Sequence, residues 1–167
     1  MKSINVCALI ATLAAPLALA HDNQVEALIN SGPQATNMPL PDPTHIPLVF
    51  GKDIKWKGTA DGPQQALLFG NPDKPGIYGV LIKWEPGHYS KPHFHTTDRY
   101  VYVVSGTWWV SASDRFDPDK TYPVPAGTYV RDIAKTVHWD GAKDEPVLLM
   151  LVGTGPMTTT SASAPNS

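Results

Sequence analysis

From about Leu48 to Pro156 the apolar residues come in short runs separated by turn signals, and no long stretch keeps a helical period. Ile54-Lys55-Trp56-Lys57 alternates. Ala66 to Phe69 is followed by Gly70-Asn71-Pro72-Asp73-Lys74-Pro75-Gly76, a turn-forming stretch. Next come Ile77 to Trp84, a Pro86-Gly87 corner, Arg99 to Val104, Gly106 to Ser111, Gly127 to Val130, Thr136 to Trp139 and Pro146 to Val152. At least eight strand candidates at this spacing predict an all-β body, either a barrel or a double-sheet jelly roll. An immunoglobulin-type sandwich is the alternative, but no cysteine pair supports it.

The two ends read differently. Met1-Lys2 followed by an apolar run from Ile4 to Ala20, closing on Ala18-Leu19-Ala20, has the pattern of a secretory signal peptide over residues 1–20. The run is short for a spanning helix and contains Pro16, so no membrane insertion is expected after cleavage. Residues 21–47 turn to Asn, Gln, Ser and Pro, and Pro39-Leu40-Pro41-Asp42-Pro43 discourages both helix and ladder, which predicts an extended Pro-rich arm. Residues 157–167, rich in Thr, Ser and Ala, are expected to be a disordered tail.

At 167 residues the chain suits one core, so residues 48–156 are expected to form a single domain. Lys+Arg 13 against Asp+Glu 15, spread along the chain, offers no basic stripe, and nucleic acid is excluded as a partner. Cys7, the one cysteine, lies within the predicted signal, so a periplasmic or secreted mature chain would have to hold together by packing, helped by any bound metal.

The candidate chemistry lies in Lys91-Pro92-His93-Phe94-His95. In an extended segment His93 and His95 share one face and Phe94 takes the other. His138 follows an intervening hairpin and a Gly-bounded turn, at a separation from which an antiparallel strand can return beside them. Taken alone, a His-x-His pair is as readily surface decoration or a core pair as a metal site.

The spacing around these residues resembles the cupin family. Gly87, five residues, His93, Phe94, His95, three residues, position 99, six residues and Gly106 follow the family's first motif. Gly127 and His138 keep the spacing of the second, with Ile133, Lys135 and Ala142 where proline, glycine and asparagine are usual. The resemblance implies a cupin-type double-stranded β-helix, the RmlC-like jelly roll, with His93, His95 and His138 as ligands of one divalent transition metal, Fe, Mn, Ni, Zn or Cu. It is closest to small exported cupins, which often associate as homodimers through their outer sheet and N-terminal arms.

One position departs. Arg99 stands where the family supplies a glutamate ligand. A guanidinium beside a divalent ion held by neutral imidazoles costs several kcal/mol, so an anion must intervene. Three arrangements satisfy this. Arg99 turns to a carboxylate such as Asp98 or Asp132; it binds an anionic substrate; or the site holds no metal. Asp98 has the wrong strand parity for a ligand, and His88 reads as a rim residue. Of the aromatics on strands, Tyr100, Tyr102, Trp108, Trp109, Tyr129 and Trp139 are expected to pack, with one of Trp108 and Trp109 facing inward.

Two functions follow. In one, the chain is a metal-dependent enzyme of dioxygenase, isomerase or lyase type acting on a small anionic molecule, with Arg99 binding substrate. In the other it is a non-catalytic module of the cell envelope that binds a small ligand or a metal.

Overall fold

The computed structural model describes residues 42, 44–59 and 61–162. The predicted signal peptide, most of the arm and residues 163–167 lie outside the described residues. No described helix is long and apolar enough to cross a membrane. Ten strands run through the described chain: β1 (Gln64–Phe69), β2 (Gly76–Trp84), β3 (His93–His95), β4 (Arg99–Ser105), β5 (Thr107–Ser111), β6 (Tyr122–Pro125), β7 (Tyr129–Asp132), β8 (Trp139–Gly141), β9 (Val147–Gly155) and β10 (Thr159–Ser161).

They form two layers. One is a five-stranded sheet in the order β1-β2-β9-β4-β7. The other combines β6-β5-β8 with the pair β10-β3. Two isolated bridges, Tyr89 with Gly141 and His93 with His138, join these groups, so the histidine strand runs alongside the chain entering β8.

Strand alternation builds the core. In β4, Arg99, Val101, Val103 and Ser105 are buried while Tyr100, Tyr102 and Val104 are exposed. Tyr78, Val80 and Trp84 of β2 and Val147, Leu149 and Leu151 of β9 join Val101 and Val103, and Trp108, Val124 and Ala142 close the core from the opposite layer. Each buried Val or Leu contributes about 1.5–3 kcal/mol, which compensates for the lack of cross-links. Trp108 is the inward member of its pair and donates to Asp140 Oδ2 at 2.9 Å. Trp109 is half-buried, with the Lys143 ammonium 5.1 Å from its ring centre.

Four differences from the sequence reading have physical causes. Ile54 to Lys57 forms no strand, and only Lys57 pairs, with Gln65. The strand Tyr122–Pro125 was hidden by Pro123 and Pro125, which are tolerated because β6 is an edge strand bonded only to β5. The arm is not uniformly extended, since around Asp42 it turns, with the carboxylate accepting from the Thr44 N–H at 2.9 Å and the Asp42 carbonyl from the Ile46 N–H at 2.9 Å. The expected tail is ordered at Thr159–Ser161, where β3 offers an unpaired edge and β10 fills it.

The motif glycine Gly106 sits at φ 72°, and a side chain there would collide with the Pro146 carbonyl. Lys135 has φ 62°, the one positive φ among described non-glycine residues, at the place where the family carries glycine. Its N–H still bonds the His95 carbonyl at 2.8 Å, so the strained turn also backs the histidine strand. Relieving the left-handed strain should outweigh the added chain entropy. Lys135→Gly is therefore expected to stabilise the protein by about 0.5–1 kcal/mol, seen as a higher urea midpoint at unchanged slope.

Candidate metal centre

The main chain sets the geometry. His93 N–H bonds the His138 carbonyl and His138 N–H bonds the His93 carbonyl, both at 2.9 Å, so the two residues face each other across the layer with side chains on one face. His95, two residues on, shares that face. The three rings lie 4.5–5.2 Å apart between centres. One nitrogen from each of His93, His95 and His138 falls within 4.8 Å of the others.

The ring nitrogens are sorted by their partners. His93 Nδ1 lies 2.7 Å from the Lys91 carbonyl and His138 Nδ1 lies 3.1 Å from the Thr136 carbonyl. Carbonyls only accept, so both Nδ1 atoms carry the proton and both Nε2 lone pairs are free. His95 Nδ1 bonds the Thr159 hydroxyl at 3.0 Å, a contact supplied by β10. The Nε2 atoms of His95 and His138 are buried without a hydrogen-bond partner. Buried orphan acceptors are costly, and a shared cation would satisfy them, so this donor set fits a divalent transition metal.

Arg99 and Asp132, opposite one another in the β4–β7 register, are both buried. Arg99 Nε and Nη2 reach Asp132 Oδ2 at 2.7 and 2.6 Å. Asp132 also lies 4.0 Å from His95 Nε2 and 3.5 Å from His138 Nδ1. Of the arrangements open to Arg99, the turn toward Asp132 is the observed one, and it occupies two of the guanidinium donors. Asp98 sits apart, accepting from the Ala134 N–H at 2.8 Å and from Arg131, contacts that hold its carboxyl below the usual range. His88 lines a separate surface pocket with Tyr89 and Phe116.

A cavity of about 420 Å³ opens beside the cluster, lined in part by His93, His95, Arg99, Tyr78, Trp84 and Asp140. The Tyr78 hydroxyl and Trp84 Nε1 are buried in its walls without partners. Burial pushes the Tyr78 phenol up, against the opposing pull of the Arg99 guanidinium, so it stays protonated. Asp140 is buried, accepting from the Ser90 hydroxyl at 2.7 Å and the Trp108 indole at 2.9 Å. Sequence reasoning missed both residues. Asp140 was detectable, since it shares parity with His138; Tyr78 was not, because β2 is apolar on both faces. Tyr100, Tyr102 and Tyr129 lie on the exposed face instead.

Burial, then the Arg99 guanidinium, then the other two imidazoles push His95 down to about 2, and burial lowers His93 as well. The unfolded chain takes up these protons below about pH 6.5 while the folded metal-free protein does not. Metal-free protein is therefore expected to lose stability as pH falls from about 6.5, at up to about 1.4 kcal/mol per pH unit for each such histidine. Urea titrations of His95→Gln should show a shallower loss over this window. Separately, Asp140→Ala strands the Trp108 N–H and should cost about 2–3 kcal/mol in the same assay.

No curated protein matches the chain. Among solved structures it resembles the polyketide cyclase RemF from Streptomyces resistomycificus at 16% identity and TM-score 0.59, covering 71% of this chain and 87% of that one. It also resembles KdgF from Halomonas sp. at 21% identity and TM-score 0.50, covering 62% and 89%. An RmlC-like cupin from Shewanella frigidimarina matches at 19% identity and TM-score 0.51, covering 64% and 87%. At these identities the likeness establishes the jelly-roll fold. The model of the ChrR cupin-like domain matches residues 47–158, most of the sequence and all three clustered histidines, and the chain belongs to that cupin family.

Proposed function

We propose that the protein is an exported, metal-binding cupin that acts on a small anionic organic molecule in the cavity beside its three histidines. The observation that carries this reading is the pair of buried, unpartnered Nε2 atoms on His95 and His138, converging with His93 next to an accessible cavity. His93, His95 and His138 hold the metal; carbonyl partners at Nδ1 fix His93 and His138 in the tautomer that frees Nε2, and the Thr159 hydroxyl orients His95. The bound ion supplies Lewis acidity toward an oxygen of the ligand.

The rest of the chemistry belongs to the chain. The Tyr78 phenol and the Trp84 indole N–H offer donors to ligand oxygens from walls that are otherwise largely apolar. Arg99, with two donors committed to Asp132, contributes positive potential and its remaining edge rather than a full bidentate grip. The polyketide cyclase RemF illustrates how this fold can host catalysis. A walled cavity with polar donors favours turnover over a merely structural or storage role.

The decisive experiment is elemental analysis of untagged mature protein. About one equivalent of transition metal is expected, and it should be absent from a His93→Ala/His95→Ala variant. A wild-type chain that takes up none of Fe(II), Mn(II), Ni(II), Cu(II) or Zn(II) would refute the reading. Oxygen-uptake and lyase screens with small carboxylates then separate the enzyme from a binding module, which would take up metal and ligand without turnover.

Export and self-association complete the proposal. N-terminal sequencing of protein from the periplasm or medium should begin at His21. Tyr100, Tyr102, Val104 and Tyr129 leave the outer face of the large sheet apolar and exposed, at 38–61% of their surface, which suits a second copy. Light scattering should return a two-chain mass at micromolar concentration, and Tyr102→Glu should return one chain.

A further inference from the structure

Resting on the reading of the cavity as an anion site beside a metal, we propose that Asp140 is its second polar anchor and that the molecule bound there is a small hydroxycarboxylate. Its carboxylate lies toward Arg99 and Tyr78, and its hydroxyl donates to Asp140 beyond the histidine pair.

Register gives the cavity two ends. Tyr78 and Arg99 both pair with Gly153, from opposite sides. A side chain at Gly153 would meet the Tyr78 hydroxyl at 2.6 Å, so the phenol lies across that glycine toward Arg99. Asp132 Oδ2, which Arg99 grips, is 4.0 Å from His95 Nε2, and this row therefore stands at the His95 end of the cluster. Asp140 stands at the other end. His138 pairs with His93, and two residues later the Asp140 carbonyl accepts from the Ser90 N–H at 2.7 Å, on the side of His93 away from His95. Arg99 and Asp140 thus line one cavity with the histidines between them.

Asp140 has capacity to spare. The residue is 8% exposed, its Oδ1 accepts from the Ser90 hydroxyl at 2.7 Å and its Oδ2 from the Trp108 indole at 2.9 Å. The Ser90 oxygen is in turn held by the Asp140 N–H at 2.9 Å. Both carboxylate oxygens therefore act as acceptors, as in the ionised form, and each keeps a further lone pair. Both partners are neutral, so a donor arriving from the cavity meets a buried anion that no cation has claimed.

Charge selects that donor. Among neutral imidazoles, Arg99, Asp132, Asp140 and a divalent ion leave one net positive charge, which a single carboxylate cancels. A second carboxylate would face Asp140 as a like charge, and an ammonium would restore the excess. A hydroxyl donates without adding charge. Size follows from the register as well. With His93 against His138, His95 stands beside Thr136, four residues or about 13 Å of extended chain from Asp140. Hydrogen bonds of about 2.8 Å at each end leave about 7 Å, the reach of a five-carbon hydroxy acid. A cavity of about 420 Å³ accommodates it.

The test titrates the full mature chain, loaded with Zn(II), by isothermal calorimetry. The probes are pentanoate, 5-hydroxypentanoate, 5-aminopentanoate and glutarate, with the four- and six-carbon members of each set. A hydroxy acid is expected to bind about 10-fold more tightly than the plain acid of its length, and more tightly than the amino acid or dicarboxylate. Asp140→Asn, which can still accept from Trp108, should cut that preference to about 3-fold or less. Asp140→Glu, which keeps the charge and extends it into the cavity, should move the preferred hydroxy acid to a shorter chain. Equal binding of hydroxy and plain acids, or tightest binding of an amino or dicarboxylic acid, overturns the proposal while leaving the anionic-ligand reading in place. So does a preference that survives unchanged in whichever of the two variants folds. A chain that takes up no metal or, once loaded, binds none of these acids refutes the reading of the cavity itself, and the proposal with it.

Discussion

Two reciprocal main-chain hydrogen bonds, His93 with His138, hold the functional end of this molecule together. They join β3 to the chain entering β8 and so merge two small strand groups into one layer. They also bring two imidazoles onto one face, and the two-residue period of an extended chain then adds His95 and Asp140 to the same side. The residues that close the barrel are thus the residues that make the site. A substitution that loosens this pairing would disturb both at once.

The interior around that seam is unusual in its charge. Two buried carboxylates and one buried guanidinium stand near three imidazoles, yet each ion has specific partners: Arg99 for Asp132, and Ser90 with Trp108 for Asp140. Hydrophobic walls from β2 and β9 raise the strength of these contacts while making any unmatched group expensive. Among the described residues eight buried side-chain polar atoms lack a partner, and four of them, Tyr78 Oη, Trp84 Nε1 and the Nε2 atoms of His95 and His138, gather at or beside the cavity. Unsatisfied polar atoms grouped beside a cavity are the ones a bound ligand could reach.

Much of this was legible in the sequence. Alternation and turn chemistry gave the all-β body, and the spacing of Gly87, His93, His95, Gly106, Gly127 and His138 identified the jelly roll and its cluster. Strand parity required one of Trp108 and Trp109 to face inward, and the structure shows it to be Trp108. Other features needed three dimensions. Arg99 could be seen to need an anion, but choosing Asp132 over Asp98 required the β4–β7 register. Tyr78 was invisible because a strand buried on both faces has no alternation to read. β10 was missed because its Thr and Ser side chains make no core, and its order comes from backbone pairing to β3.

That last strand has a consequence for assembly. Thr159 orients His95 across a sequence separation of 64 residues, so the ring is not fixed until the end of the domain has docked. Loop closure of this length is slow compared with local hairpin formation. The orientation of His95 is therefore completed late in the chain: until β10 pairs with β3, one of the three rings lacks its side-chain partner. A fusion partner attached beyond Ala162 would follow directly on the strand that orients His95, and could disturb that ring without ever touching it.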